Sequence, residues 1–302
     1  MNLRSVWRSG VATRIAIVVL GIIVLSTIFA NVLAPYSPLE IDVTAIMQPP
    51  TWHHLLGTDE LGRDILSRML YGGRLSLTVG LVAVAIEFSV GMVVGVLTGY
   101  VGGFIDTIVM RVVDVMLAMP GLIFALFIVA ILGPGLVNVM IALGIGGIPG
   151  IVRVARASTL AFREREFVEG ARAVGASLWR ITIHHLMPNI LPPILVLVFL
   201  DIGGYILSAS ALSFIGLGAQ PPSPEWGAML AQGRNYFPEA WWMTVYPGLL
   251  IGAVVLCVNI IGDTFRDALD PALRGSIGQP RSAIQDLRAA ASKSDGLEAA
   301  AD

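Results

Sequence analysis

Two carboxylic acids, Glu87 and Asp201, lie inside long apolar runs of the sequence. A carboxyl group in hydrocarbon costs at least about 2.5 kcal/mol, so both side chains should face the interior of a helix bundle. There they can hydrogen-bond between helices, bind a proton or a cation, or line a path for a solute. A third acid, Asp114, follows Arg111 by three residues, and this spacing predicts an ion pair on one helix.

The other reactive residue types do not form a recognisable catalytic centre. Ser208, Ser210 and Ser213 have no histidine on a neighbouring predicted helix, which an intramembrane hydrolase would need as a base. The two adjacent histidine pairs, 53–54 and 184–185, have no cysteine or carboxylate at metal-ligand spacing. Because Cys257 is the single cysteine, a disulfide within the chain is impossible.

A nucleotide-binding P-loop is not present in the sequence. Its Gly-x-x-x-x-Gly-Lys-Ser/Thr pattern needs a lysine after glycine, whereas the single lysine, Lys293, follows a serine in an alanine-rich tail. A net charge of −2 without a clustered basic face also argues against nucleic-acid binding. ATP-driven work would therefore require hydrolysis on another polypeptide.

The composition makes the lipid bilayer the solvent of this chain. Hydrophobic residues make up 56% and charged residues 13% of the 302 positions, whereas soluble domains have about a quarter charged residues. A membrane crossing takes about 20 helical residues. We predict an all-α protein with six transmembrane helices at 15–34, 75–98, 107–132, 136–152, 189–215 and 241–262. The first run is too long for the apolar core of a cleaved signal peptide, so we expect an uncleaved membrane anchor.

Basic residues predict the orientation, because cytoplasmic loops near membrane helices collect lysine and arginine. With the N-terminus inside, the cytoplasm receives fifteen basic residues and the outside four. We therefore expect both termini in the cytoplasm of a prokaryote, with the chain multi-pass in its plasma membrane. The predicted organisation is a first segment and helix (1–35), an outer loop (36–74), a membrane core (75–271) that contains a cytoplasmic loop (161–188) and an outer loop (216–240), and a tail (272–302).

Glycines and prolines in the core predict close helix approach and local breaks. Three glycines recur at four-residue spacing on the second predicted helix: Gly91, Gly95 and Gly99. Pro120, Pro149 and the glycines of 144–150 should break or loosen the third and fourth helices. In lipid such breaks persist only where neighbouring helices or water satisfy the freed backbone groups. We therefore expect a moving, partly hydrated path, with simple core packing as the alternative.

The loop 161–188 is a charged, amphipathic segment between two apolar runs. Phe167, Ala171 and Val174 fall at helical spacings and predict one apolar stripe. Gly175 would allow a tight turn between two short helices, and Pro188 would open the next membrane crossing. The stripe needs a groove in a partner, unless the helix simply lies on lipid headgroups.

The glutamate-small-Ala-x-x-x-Gly core of this segment, Glu169, Gly170, Ala171 and Gly175, closed by Pro188, resembles the EAA loop of ATP-binding-cassette (ABC) importer permeases. Gly170 stands where a second alanine is usual. The resemblance implies that the loop is a coupling helix in a groove of a separate ATPase subunit. It assigns this contact to Phe167, Glu169, Ala171, Val174, Gly175 and Pro188.

Three further stretches resemble the C-type permease subunit of dipeptide and oligopeptide importers. They are Gly57–Asp64 with the residues up to Leu77, Leu212–Gly218 with the following Pro221-Pro222 and Glu225-Trp226-Gly227, and Asn259–Pro271. In the first stretch we expect Asp59, Arg63 and Asp64 to be mutual partners that hold the loop in shape, with contact to an external binding protein or the mouth of the path as the alternative.

The resemblance implies a type I ABC importer transmembrane domain that forms half of a path for di- or short oligopeptides. Its expected partners are a homologous permease in a heterodimer, one or two ABC ATPases, an extracytoplasmic substrate-binding protein and the lipid membrane. The chain itself would bind no cofactor or metal, and ATP and Mg would bind to partner subunits. Close relatives that carry glutathione or nickel chelates are the first alternative. An ion-coupled transporter that uses Glu87, Asp114 or Asp201 is the second, although the inverted repeats of that class are not visible.

Overall fold

The computed structural model describes residues 10–269 of the chain. In that range every regular element is helical, and one isolated bridge joins Thr58 and Asp64. The all-α prediction is thus confirmed for the described part. The predicted tail 272–302 and Lys293 lie outside the described residues.

Eleven α-helices follow one another in the described range. They are α1 (Val11–Ile28), α2 (Ala30–Leu33), α3 (Ile65–Val101), α4 (Gly103–Leu117), α5 (Gly121–Leu132), α6 (Leu136–Arg163), α7 (Glu166–Ala173), α8 (Leu178–Ile181), α9 (Met187–Phe214), α10 (Trp226–Gly233) and α11 (Trp242–Leu269). A π-helical turn, Thr182–Leu186, joins α8 to α9, and a 3₁₀ turn, Arg234–Tyr236, follows α10.

Five described helices are long and apolar enough to cross a membrane: α1, α3, α6, α11 and the continuous helix Leu178–Phe214. A sixth span exists if α4 and α5 count as one, although their axes are bent by 95°. The predicted break of the third apolar run, 107–132, is therefore confirmed. The break falls at Pro120, which lacks an N–H and disfavours helical geometry at the residue before it. Pro149, in contrast, lies inside the continuous α6.

Two spans are longer than their apolar runs. Helix α3 begins at Ile65 rather than near residue 75, because the Asp64 side chain caps it by accepting a hydrogen bond from the Ser67 N–H at 2.8 Å. Helix α6 continues past the apolar run to Arg163. Polar residues thus extend both helices beyond the apolar run that crosses the hydrocarbon core, and hydropathy detects that run alone.

Helices α3 and α6 pack against each other along the predicted glycines. A Cβ atom added at Gly91, Gly95 or Gly99 would lie 2.6–2.8 Å from side-chain carbons of α6. These contacts are too short for any larger residue, so the prediction of close helix approach is confirmed. The two helices form one tightly packed pair, and α9 packs against this pair and against α11.

The end of the bundle opposite α7 is closed by the folded loop between α2 and α3. Asp59 accepts a hydrogen bond from Arg63 Nε at 2.7 Å, as predicted. Asp64 pairs instead with His54 Nδ1 at 3.0 Å while it caps α3, so its predicted pairing with Arg63 is wrong. Trp242 Nε1 at the start of α11 donates to the carbonyl of Thr58 at 3.1 Å. These bonds connect the loop to two spans.

Candidate functional site: the α7 segment and a buried polar centre

Helix α7 is an eight-residue element held against the ends of α3 and α6. Val168 is fully buried and Ala171 is 9% exposed, and both pack with Ile181 and Leu186. Arg163 Nη1 donates to the Gly99 carbonyl at 3.0 Å just before the segment begins. The inner face of α7 is therefore packed against residues of the same chain.

The outer face of α7 exposes apolar and charged side chains together. Phe167 is 43% and Val174 is 83% exposed, and Glu169 is exposed. The single stripe predicted for Phe167, Ala171 and Val174 is thus split, because Ala171 points to the chain's own core. Helix α7 ends at Ala173, so Val174 lies beyond the periodicity that the stripe assumed. The spacing of Val168 and Ala171, three residues apart, is the signal for the inner face.

The turn after α7 depends on Gly175, which has φ of +78°. A side chain at this position would meet no atom within 4 Å, so the requirement is backbone conformation rather than space. The predicted tight turn between two short helices is confirmed. Pro188 lies at the start of α9, directly after the π-helical turn Thr182–Leu186 of the continuous helix Leu178–Phe214.

Glu87 and Asp201, which the sequence left without local partners, meet at membrane depth between α3 and α9. Glu87 is 2% exposed, and its Oε2 accepts a hydrogen bond from the Tyr205 hydroxyl at 2.7 Å. The side chain of Asp201, one helical turn before Tyr205, interacts with the Glu87 carboxyl group. Asp201 and Tyr205 are half-buried, so only they face outward from this polar centre.

Helix α6 packs against the polar centre at Gly147, which has no side chain and so leaves space for Tyr205 and Glu87. A Cβ atom at Gly147 would overlap the Tyr205 hydroxyl and lie 2.6 Å from the Glu87 carboxyl carbon. Tyr205 was missed from the sequence, although its position four residues after Asp201 puts both on one helix face. The arrangement can bind a polar group at mid-membrane or fix the three helices in register.

Asp114 pairs with a different arginine from the one predicted. Its Oδ1 accepts a hydrogen bond from Arg153 of α6 at 2.6 Å, and both side chains are about half exposed. Asp106, also on α4, forms an ion pair with Arg156, which like Arg153 lies on α6. The predicted local pair of Arg111 and Asp114 is wrong because α6 presents two arginines to α4. The two ion pairs fix α4 to the side of α6.

Among the described residues, no group of three or more His, Cys, Asp or Glu side chains is arranged to hold a metal ion. His54 is engaged with Asp64. His184 and His185 lie in the π-helical turn.

The described helices define a polytopic helical membrane protein with a partly exposed short helix, α7, between two spans. Residues 91–275 match the family described as the inner membrane component of binding-protein-dependent transport systems. Residues 12–50 match the N-terminal transmembrane domain of oligopeptide transport permease C. The chain belongs to this family of ABC importer permeases and is a multi-pass inner-membrane protein.

Curated relatives cover most of the chain. A probable D,D-dipeptide transport system permease protein of Escherichia coli is 45% identical over 85% of this chain and 87% of its own length. The di/tripeptide transport system permease protein of Pseudomonas aeruginosa is 44% identical over 84% and 86%. A glutathione transport system permease protein of Pectobacterium atrosepticum is 41% identical over 90% and 91%.

Solved structures show the same fold. A chain of the MetNI methionine ABC transporter in an inward-facing conformation is 20% identical and superimposes with a TM-score of 0.54 over 68% of this chain and 98% of its own. A second crystal form gives 0.51 over 66% and 94%. The fold is that of the type I ABC importer transmembrane domain, as predicted.

Proposed function

We propose that this permease carries di- or short oligopeptides and forms half of their path across the membrane. The substrate class is supported by the names of the relatives above and by the match of residues 12–50 to a permease C domain. The glutathione relative keeps a second candidate open, since glutathione is itself a short peptide. Competition for uptake by dipeptides, longer peptides and glutathione distinguishes the two.

The observation that carries the mechanism is the α7 segment. Its inner face is packed, while Phe167, Glu169 and Val174 face outward at a bundle end. We infer that this end is cytoplasmic, together with both termini, and that α7 sits in a groove of an ATPase subunit. Exposed apolar side chains supply the contact area, and Glu169 supplies a charge that a partner can recognise.

The rest of the machinery belongs to partner chains in this proposal. One or two ATPases bind ATP and Mg, a homologous permease supplies the other half of the path, and an extracytoplasmic protein delivers the substrate. Closure of the ATPases draws the α7 segments together and converts an inward-facing cavity into an outward-facing one. Hydrolysis then resets the complex.

The polar centre supplies the pathway candidates. Asp201 is the side chain that faces the path at mid-membrane, with Tyr205 beside it. Glu87 lies behind them, because it is almost completely buried. An acid of this kind can contact the ammonium group of a peptide without holding it tightly, since Tyr205 and Glu87 already occupy part of the hydrogen-bonding capacity.

Glu169→Arg tests the coupling role. The substitution reverses a charge on an exposed face, so membrane insertion and the fold should be retained. We expect reconstituted complexes of this variant to hydrolyse ATP without transporting substrate. Gly175→Val, which strains a backbone at positive φ, should have the same effect. Normal uptake by both variants would show that the segment is not the coupling element.

The partners can be tested separately by gentle purification of the tagged chain and mass spectrometry of the proteins that accompany it. We expect a homologous permease and P-loop ATPases. Recovery of this chain alone, active in proton- or sodium-driven uptake, would overturn the importer proposal and favour the ion-coupled alternative.

A further inference from the structure

The polar centre contains two carboxyl groups that are hydrogen-bonded to each other across two membrane spans. Glu87 of α3 is 2% exposed, and Asp201 of α9 is half-buried. Their side chains form one hydrogen bond with each other. Because an ionised carboxylate can only accept, a hydrogen bond between two carboxyl groups requires a proton on one of them.

No cation compensates the charge of this pair in the described part of the chain. Helix α3 contributes Glu87, α9 contributes Asp201 and Tyr205, and α6 contributes a glycine. None of the ion pairs between described residues includes either acid. Arg153 and Arg156 of α6 are bound to aspartates of α4 instead. Two ionised carboxylates side by side would repel each other where desolvation already disfavours each charge, and a shared proton removes this repulsion.

Burial and hydrogen bonding indicate which acid holds the proton. Glu87 is almost completely buried, whereas Asp201 faces outward, and desolvation disfavours the charged form more at the drier position. A protonated Glu87 can donate to Asp201 and still accept the hydrogen bond of the Tyr205 hydroxyl at 2.7 Å. The remaining negative charge then lies on Asp201, on the side that faces the path.

We propose that Glu87 is protonated in the folded complex and donates a hydrogen bond to Asp201, so that the polar centre is a proton-binding site with one negative charge. The proton is held whether or not a peptide is present, and in this respect the inference goes beyond the proposed function. Its consequence for transport rests on that function: a single charge on Asp201 can be neutralised by a single ammonium group.

Glu87→Gln tests the proton, because an uncharged amide offers one donor and one acceptor group, as a protonated acid does. Glu225→Gln is the matched contrast. Glu225 is 1% exposed, and its two oxygens only accept, from Ser76 Oγ and from the N–H groups of Gly227 and Ala228 at 2.9–3.0 Å. At neutral pH we expect the Glu87→Gln complex to unfold at a midpoint no lower than that of the wild type, and the Glu225→Gln complex to unfold earlier. A comparable fall for Glu87→Gln would show that Glu87 is an ionised acceptor, which would overturn the proposal.

The pH dependence of the same midpoint is a second readout. An unfolded, hydrated glutamic acid is ionised at neutral pH, so folding takes up a proton at Glu87. The wild type should therefore lose stability as the pH rises above the ordinary titration range of glutamic acid, until the folded pair ionises. Glu87→Gln has no such loss, so the midpoints of the two proteins should move apart over this range. Parallel profiles would contradict the shared proton.

Infrared spectroscopy of the purified complex detects the proton directly. A protonated carboxyl group and a carboxylate absorb at different frequencies, and the wild type should show a protonated carboxyl band at neutral pH that Glu87→Gln lacks. Identical spectra would overturn the proposal. Competition for uptake by a dipeptide and its N-acetylated form tests the ammonium contact separately. Equal competition would refute that part of the proposed function, whereas the infrared band decides the proton.

Discussion

At the scale of single residues, the hydrogen bond between Tyr205 and Glu87 shows which part of a buried contact the sequence predicts and which part it does not. Hydropathy placed the carboxyl groups of Glu87 and Asp201 at membrane depth. Because an isolated carboxyl group is costly in hydrocarbon, each was expected to face the interior of the bundle. The partner could not be deduced, because it depends on how α9 is rotated against α3. The same limit explains Asp114, which pairs with Arg153 on another helix and not with Arg111, the arginine nearer in sequence.

Tyr205→Phe tests this bond while keeping the aromatic ring. The variant leaves an oxygen of the buried Glu87 carboxyl group without its donor, and interhelical hydrogen bonds in membranes contribute about 0.6–2 kcal/mol. We expect a lower midpoint of thermal unfolding for the purified complex. Tyr36→Phe, which removes an exposed hydroxyl bonded to the His53 carbonyl, is the control and should leave the midpoint unchanged. Equal midpoints for the two variants would mean that the buried bond contributes nothing.

At the scale of helices, hydropathy located the spans but not their ends or bends. The 95° break at Pro120 and the early start of α3 at Asp64 come from single backbone and capping groups, which a window average cannot resolve. The α7 stripe failed for another reason. Helical periodicity is satisfied equally by the inner pair, Val168 and Ala171, and by the outward side chain of Phe167. Only the position of the following turn decides which face is buried.

Helix packing makes Gly147 and Gly150 of α6 a sharp comparison. A Cβ atom at Gly147 overlaps Tyr205 and approaches Glu87, whereas one at Gly150 meets no atom within 4 Å. We expect Gly147→Ala to destabilise the chain by about 1–3 kcal/mol through overpacking, and to reduce the yield of folded complex. Gly150→Ala should be neutral. Gel-filtration recovery and thermal unfolding of both variants measure the difference, and equal behaviour would contradict the three-helix contact.

At the scale of the whole molecule, the two ends of the bundle are built differently. The end with the loop between α2 and α3 is held by buried ion pairs and by a hydrogen bond from Trp242 of α11. The α7 end is held by a small apolar cluster and borders an open groove. Since local stability follows buried contacts, motion should concentrate at the α7 end. A rigid end and a mobile end are what a membrane domain needs when force is applied from one side.

Asp59→Asn tests the rigid end. Asp59 accepts hydrogen bonds from Arg63 Nε and from two backbone N–H groups, and its Oδ2 lies 3.4 Å from Arg68 Nε. Both arginines are at most 3% exposed, so removal of this charge leaves buried cations only partly compensated. Breaking one partner of a buried pair costs about 3–5 kcal/mol, so we expect a large fall in the thermal midpoint.

The neutral control for this variant is Glu40→Gln, on an exposed side chain of the same loop. If Asp59→Asn melts with the control, the loop does not stabilise the bundle. If it melts early but a folded fraction still shows coupled uptake at low temperature, the rigid end serves stability and the α7 end carries the movement. This division of roles between the two ends follows from where the chain buries its charges.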